Sequence, residues 1–383
     1  MTRQRIAPKL PSQYGSLSSQ LRAAGGAQLI ADIQQHIRRF VVLPNEHASV
    51  VLATWVIHTH LYLQQASTPR LVVTASGKNS GKSILCECLR PLCTGKEVIE
   101  DKGNAVTRYG ALMAADVTPA YVIGAIDKAN RDGERITLIM DEADVEGSSG
   151  ADMVALRKTI NSGYRQSGSA GRVVGGNMVR RSTYAPVIIS GIQGNIHETT
   201  MSRAIKIHMR PADAEDRFDY YKAHLHDRLG DALRKRIEQW VNAIREDIIG
   251  YEPEMEDVRN RDREVWEPLV QIADIAGDEP SKALREAMYF WLGGGTRREP
   301  RNHGEQVLAN VVAIFEQTDA PAMFSSDIAR ALADFGQEMN AHELFRALGP
   351  FGLRTEMVRI DGERQRGIRR EKVEQAWETL VHG

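Results

Sequence analysis

The sequence predicts an α/β fold: a P-loop NTPase core with a parallel sheet, then a helical region and a C-terminal winged-helix domain. Three observations predict it. The apolar run Leu71-Val72-Val73-Thr74-Ala75 leads into the turn Ser76-Gly77-Lys78-Asn79-Ser80-Gly81, and a helix opens at Lys82-Ser83. Apolar strand-length runs then alternate with helical stretches as far as Pro211, the rhythm of a sheet covered on both faces. Beyond a Gly-rich linker at residues 293–304, three helices precede a hairpin, which is the order of a winged helix.

The elements follow in chain order. Residues 1 to about 25 read as a loose arm, basic through Arg3, Arg5, Lys9 and Arg22, and broken by Pro8, Pro11 and Gly25-Gly26. Helices are expected over Gln28–Arg39 and Glu46–Gln64, the second with Asn45 as N-cap. Residues 43–211 form the expected ATPase core, and residues 1–42 precede it as arm and helix. In the core a strand spans Arg70–Thr74, a helix Lys82–Leu92 and a short apolar stretch Ala111–Met113. Thr118-Pro119 reads as N-cap and first residue of a helix to Ala129. The strand Ile136–Met140, a helix over Ala151–Tyr164 and the strand Pro186–Gly191 complete the alternation. Residues 212–295 read as helical, broken at Gly230, at Gly250–Pro253 and at Gly277. In residues 304–383 helices are expected near Glu305–Glu316, Ser325–Phe335 and Asn340–Leu348. A hairpin turns at Asp361-Gly362, and a last helix covers Arg370–Val381.

The turn before Lys82 has the context of a Walker A loop. Its backbone amides and the helix N-terminus would cradle a polyphosphate through Ser76, Gly77, Lys78, Asn79, Ser80 and Gly81. Lys82 would reach the β- and γ-phosphates, and Ser83 would ligate Mg²⁺. The strict pattern has Gly where Ser76 stands, with Gly77 following at once. Ile136–Met140 ends in Asp141-Glu142, a Walker B pattern: Asp141 would hold Mg²⁺ through water, and Glu142 would polarise the attacking water. A buried strand that ends in surface acids has the same sequence appearance.

Ser190 closes the next strand, where a polar residue could sense the γ-phosphate; Gln193 and Asn195 compete for that role. Arg203, at the start of the alternating run Ala204-Ile205-Lys206-Ile207, could reach a neighbouring subunit's γ-phosphate, a contact that adds about 10³–10⁵ in rate. A surface arginine at a strand start fits equally. Arg172–Arg181 reads as a hairpin turning at Gly175-Gly176-Asn177, with Arg172, Arg180 and Arg181 and no acid; it could grip nucleic-acid phosphates or be a solvated basic hairpin. Between Phe351 and Arg370 six arginines face three acids, which suits a DNA-contacting wing through Arg359, Arg364 and Arg366, although such modules also bind proteins.

A net charge of −1 argues against a uniformly basic nucleic-acid coat. The three cysteines, Cys86, Cys88 and Cys93, crowd one expected helix and its end; reduced, mostly buried thiols are expected rather than disulfides or a metal site. His58 and His60, two apart on a helix, do not share a face and are expected to pack. The N-terminus lacks an apolar signal segment, and the apolar run 48–63 is too short to span a bilayer, so a cytoplasmic location is expected.

The chain resembles the uncharacterised P-loop ATPases of actinobacterial phages, plasmids and integrated elements, often found near replication genes. The resemblance rests on Leu43-Pro44 with Glu46-His47-Ala48 leading to Trp55–His60, on Thr68-Pro69-Arg70-Leu71, and on Val117-Thr118-Pro119-Ala120 before Asp141-Glu142-Ala143-Asp144. It continues through Ala185-Pro186-Val187, Val265-Trp266-Glu267-Pro268-Leu269 and Pro350–Arg354. The chain is more broadly similar to ring-forming helicases of mobile elements, whose plan implies Lys82, Ser83, Asp141 and Glu142 as the active site and Arg203 acting in trans. Asp141–Asp144 also resembles an RNA-helicase motif, but the helical region after Pro211 leaves no room for the second core such enzymes need.

These readings lead to an expected ATPase that uses ATP and Mg²⁺ and associates with single-stranded or duplex DNA. It would be a homo-oligomer, in a ring where it acts as a helicase-like motor in phage or plasmid replication. Two alternatives stay open: an ATP-switched DNA-binding regulator or replication initiator with little turnover, and a defence or exclusion ATPase acting on a protein partner.

Overall fold

The computed structural model describes residues 17–75, 80–101, 104–114, 118–141, 150–192, 196–255, 258–292, 303–318, 320–360 and 362–382. The chain divides into two compact units, residues 1–292 and 293–383.

The first unit opens with α1 (Leu17–Phe40), so residues 17–25, expected as part of a loose arm, are helical. Gly25-Gly26 does not break the helix. A Cβ on Gly26 would stand 2.4 Å from a ring carbon of Trp240 and 2.9 Å from Ala276, so the glycine allows a close helix–helix approach. α2 (Ala48–Leu61) is buried at every position. The helix is shorter than the expected Glu46–Gln64, and His47, not Asn45, is its N-cap, with no side-chain cap bond; Asn45 still accepts the Ala48 amide at 2.9 Å just ahead of it.

The sheet strands are β1 (Arg70–Ala75), β4 (Leu112–Ala114), β5 (Leu138–Met140), β8 (Val187–Ile192) and β9 (Ala204–Met209). They run parallel in the order β4-β5-β8-β1-β9. Between them come α3 (Lys82–Leu89), α4 (Pro119–Arg131), α5 (Gly150–Ser162) and the short α6 (Glu198–Met201). Thr118 caps α4 by accepting the Tyr121 amide at 3.2 Å. Side chains alternate across the sheet. Leu71, Val73, Ile139, Ile188 and Ile207 join the core with α1, α2 and α3. Val72, Leu138, Met140, Val187 and Ile189 join Val122, Ile126, Leu156 and Ile160 of α4 and α5 on the other face. The fold is α/β, with helices on both faces of a five-stranded parallel sheet.

Two antiparallel hairpins leave the sheet. β2 (Lys96–Asp101) with β3 (Asn104–Tyr109) has no counterpart in the sequence expectation; β6 (Ser169–Val174) with β7 (Asn177–Ser182) takes in the expected basic hairpin.

Residues 211–222, expected to start the helical region, form a non-helical strap. α7 (Ala223–Ile248), α8 (Asn260–Ala276) and α9 (Asp278–Trp291) follow. Gly230 does not interrupt α7, because it lies against Pro91, where a Cβ would come within 2.5 Å of the ring. Pro268 sits inside α8. Its missing amide frees the Glu264 carbonyl, which accepts the Ser67 hydroxyl at 2.6 Å. Gln65 also donates to the Pro268 carbonyl at 2.7 Å, and together the two bonds fasten α8 to the core.

The second unit contains α10 (His303–Glu316), β10 (Ala322–Phe324), α11 (Ser325–Ala333), α12 (Ala341–Leu348), β11 (Glu356–Ile360), β12 (Glu363–Arg369) and α13 (Arg370–His382). Its antiparallel sheet has the order β10-β12-β11. Asn340 and Glu343 form a capping box on α12. A separate core gathers Val307, Leu308, Phe315, Ile328, Leu344 and Ile368. Among the described residues no helix is long and apolar enough to cross a membrane.

Candidate functional site

Of the predicted site residues, the C-terminal edge of the sheet carries Ser80, Gly81, Lys82, Ser83, Asp141 and Ser190. β1 ends at Ala75, and Ser80 and Gly81 lead into α3, which begins at Lys82. Gly81 caps α3 with φ +80°, a left-handed conformation that favours glycine. Its carbonyl accepts the Leu85 amide at 2.9 Å. Ser80 is buried, Lys82 is half-buried and Ser83 is exposed. The Lys82 ammonium lies 3.5 Å from the Ser80 hydroxyl.

Asp141 follows β5, and its amide donates to the Ala114 carbonyl at 3.3 Å. In register, Ser190 of β8 stands beside Val73 of β1, and Met140 pairs with Ile189. Asp141 and Ser190 therefore continue the face that packs on α3. Burial first, and then the Asp141 charge, push the Cys86 thiol up, and the same two causes raise the Glu87 carboxyl. The Ser190 hydroxyl is buried and has no partner within strict hydrogen-bond geometry among the described residues, although the Cys86 thiol is near enough to feel it. Ser76, Gly77, Lys78, Asn79, Glu142, Gln193 and Asn195 lie outside the described residues.

Three neighbours of this edge were not foreseen. Glu87 lies one helical turn after Ser83. His208 on β9 pairs in register with Thr74, and its Nδ1 stands 3.1 Å from the Thr74 hydroxyl. Burial, and then the Lys82 charge, lower its pKa. The third is the strap: Arg210 grips Asp216 through two bonds of 2.7 and 2.8 Å, which holds the Asp216 carboxyl at about 2. No sequence signal marked these residues, because sheet register and a non-local turn bring them to the site.

Arg203 lies at the opposite edge. Its carbonyl accepts the Arg70 amide at 3.0 Å at the start of β1 and β9. Six residues of strand, about 20 Å, separate it from the Lys82 end. Its guanidinium donates to the Thr199 carbonyl and lies 6.0 Å from the Tyr164 ring centre, whose other neighbour is Arg261 at 5.5 Å. Arg261 joins from α8 and is invisible to any local motif.

The basic hairpin of β6 and β7 is arranged differently from its sequence pattern. Arg181 pairs with Asp127 of α4 at 3.3 Å, and Arg180 donates to Ser169 at 2.7 Å. Arg172 lies on β6 opposite Val179. Nearer the turn, Val173 is 72% exposed and Met178 93% exposed. In the second unit Arg359 faces Arg364 across β11 and β12, and Arg366 faces Met357. Glu356 engages Arg369 and Lys372 instead, both at 2.7 Å. Among the described residues Arg359, Arg364 and Arg366 have no ion pair.

The cysteines, two on α3 and Cys93 just past it, are buried and unbridged, and burial raises Cys93 to about 12. His58 and His60 are packed: the His58 ring lies 2.6 Å from Gln65 and 2.8 Å from Thr68, and His60 lies 2.9 Å from the Leu92 carbonyl.

Residues 208–380 match the model of a family described as a protein of unknown function, DUF3631. That match starts within β9, so it takes in the strap, α7 to α9 and most of the second unit, and leaves the β1–α3 junction outside. A stretch of 156 residues, 38% of this chain, is 29% identical to a Saccharopolyspora erythraea protein described as an uncharacterised 28.9 kDa protein in the xis 5′ region. The alignment spans 58% of that protein, under two thirds of its length. A relative encoded beside xis fits a mobile-element origin.

Proposed function

We propose that this chain is a P-loop ATPase that hydrolyses ATP with Mg²⁺ and acts on DNA as an oligomeric, helicase-like motor in phage or plasmid replication. One observation carries the reading: the ends of β1, β5 and β8 bring Lys82, Asp141 and Ser190 to one edge, at the N-terminus of α3. In a parallel sheet that edge is where ligands bind, at the point where strand order reverses around β1. The residue types suit phosphoryl transfer. Lys82 would draw charge from the β- and γ-phosphates, Ser83 and Asp141 would hold Mg²⁺, and Ser190 would meet the γ-phosphate with its buried hydroxyl. Glu142, next after Asp141, would orient the attacking water. Arg203 is too far from its own Lys82 to serve it, which favours service to a neighbouring subunit and hence an oligomer.

Strand order β10-β12-β11 and the helix order of the second unit support a winged helix, with Arg359, Arg364 and Arg366 against DNA phosphate. That basic face favours a second reading, an ATP-switched DNA-binding regulator or initiator.

The test is ATP turnover by purified protein, alone and with single-stranded or duplex DNA. Stimulation by one DNA form, lost in Lys82→Ala, is expected for the motor. Glu142→Gln should bind ATP and fail to hydrolyse it. Tight ATP binding with negligible turnover on every DNA would overturn the motor and favour the switch.

A further inference from the structure

A cavity of about 340 Å³ adjoins the α3 N-terminus, within the range of small-ligand sites. It is lined by Ser80 and Gly81 before α3, by Phe40 and Val42 at the end of α1 and just past it, and by Phe218 and Tyr221 of the strap. The lining is chiefly apolar. Phe218 is 38% exposed and Tyr220, also at the cavity, is 79% exposed. Their rings meet edge to face at 5.7 Å. Two aromatic rings left open to water beside an apolar cavity are a cost to the free protein unless something covers them.

The strap is fixed at two points. Arg210 and Asp216 lock its start. The Asp219 amide donates to the Arg39 carbonyl at 2.7 Å, and the Asp219 carboxylate accepts from Arg39 at 2.7 Å. The aromatic wall is thus held at a set distance from the end of α1. Val42 also lines the cavity, and its amide and carbonyl make no hydrogen bond among the described residues. One lining residue thus has a backbone donor and an acceptor not used within the protein, and these could serve a ligand in the cavity.

We infer that this cavity is the base site of the nucleotide and that it takes adenine in preference to guanine. The inference rests on the phosphate-site reading of Lys82 and extends it. Adenine presents an N6 amino donor beside an N1 acceptor, which a single free amide and carbonyl satisfy. Its faces suit the aromatic strap, since base–aromatic stacking contributes strongly to binding. Guanine places the O6 acceptor and the N1–H donor at those two positions, reversing the pattern, and carries a 2-amino group that the apolar walls leave unpaired. Asp219 is the carboxylate at the cavity that could accept that group, and Arg39 already engages it.

The test is equilibrium binding of ATP, GTP and inorganic tripolyphosphate, each with Mg²⁺, to the full chain. The variants are Phe218→Ala, Tyr220→Ala and Lys82→Ala, with thermal melting to verify folding. Wild type should prefer ATP to GTP by about tenfold or more. Phe218→Ala should weaken ATP by about tenfold and leave tripolyphosphate binding unchanged, whereas Lys82→Ala should weaken both. Tyr220→Ala, at the most exposed ring, should weaken ATP less than Phe218→Ala and also spare tripolyphosphate. Equal binding of ATP and GTP, or ATP binding untouched by both strap variants, would overturn the base site and leave the phosphate site standing. Absence of both ATP and tripolyphosphate binding in wild type would overturn the two together.

Discussion

Arg70 shows how far a single side chain can organise the sheet's N-terminal edge. It is fully buried, and its guanidinium donates to the Ala185 and Ile160 carbonyls, each at 2.6 Å. Ile160 lies in the last turn of α5, whose exposed carbonyls favour a cation. No carboxylate pairs with Arg70 among the described residues, and burial lowers its pKa to about 9. Arg70→Met would keep the bulk and orphan two buried carbonyls. The expected loss is about 3 kcal/mol in urea unfolding, and a change under about 0.5 kcal/mol would mean that charge desolvation cancels the bonds. The other arginine of this edge carries a functional prediction. On the proposed reading, Arg203→Ala and Lys82→Ala should each lack turnover, yet a mixture should recover activity, because one subunit would supply the arginine and the other the phosphate site. Failure of mixed subunits that do co-assemble to recover any activity would exclude service in trans.

Elements were legible where burial imposes a period and illegible where packing overrides a local rule. β1, β5 and β8 declare themselves as apolar runs because both faces are covered. Gly26 and Gly230 read as breaks, since a single sequence cannot display Trp240 or Pro91 pressed against them. The β2–β3 hairpin escaped notice because β3 is exposed along its whole length, so burial imprints no alternation on it. At the site, Lys82, Asp141 and Ser190 were readable from strand ends, whereas His208, Glu87 and the strap needed register and tertiary placement. Two predictions belong at this scale. Gly26→Val should loosen α1 from α7 and α8, with a stability loss of about 1–3 kcal/mol or more from overpacking, read by denaturant midpoint. Arg359→Ala with Arg364→Ala should weaken duplex binding and reduce the salt slope by about 2, since each arginine would neutralise one phosphate. An unchanged slope would remove β11 and β12 from the DNA interface.

Across the first unit, the helical layer and the sheet are joined by buried polar groups that must stay neutral. His58 lies between Gln65 and Thr68, and Gln65 continues to Gln271, which donates to the Tyr251 carbonyl at 2.7 Å. The network thus ties α2 to α8. Burial holds His58 and His60 at about 4, with His36 of α1 at the same value. In the unfolded chain these rings titrate near 6.5, at about the usual histidine value. Between pH 6.5 and 4 the unfolded state therefore binds protons that the folded state refuses. Stability is fully present above about pH 6.5 and falls as pH drops through that window, by up to about 1.4 kcal/mol per pH unit for each histidine. Urea unfolding at pH 7.5 and pH 5.0 should show a markedly lower midpoint at the acid value. His60→Gln, which removes one titrating ring and keeps an amide that can donate to the Leu92 carbonyl, should flatten the dependence. A midpoint that holds steady across the window would mean that these rings accept protons without leaving the core, and that the network joining the layers tolerates charge.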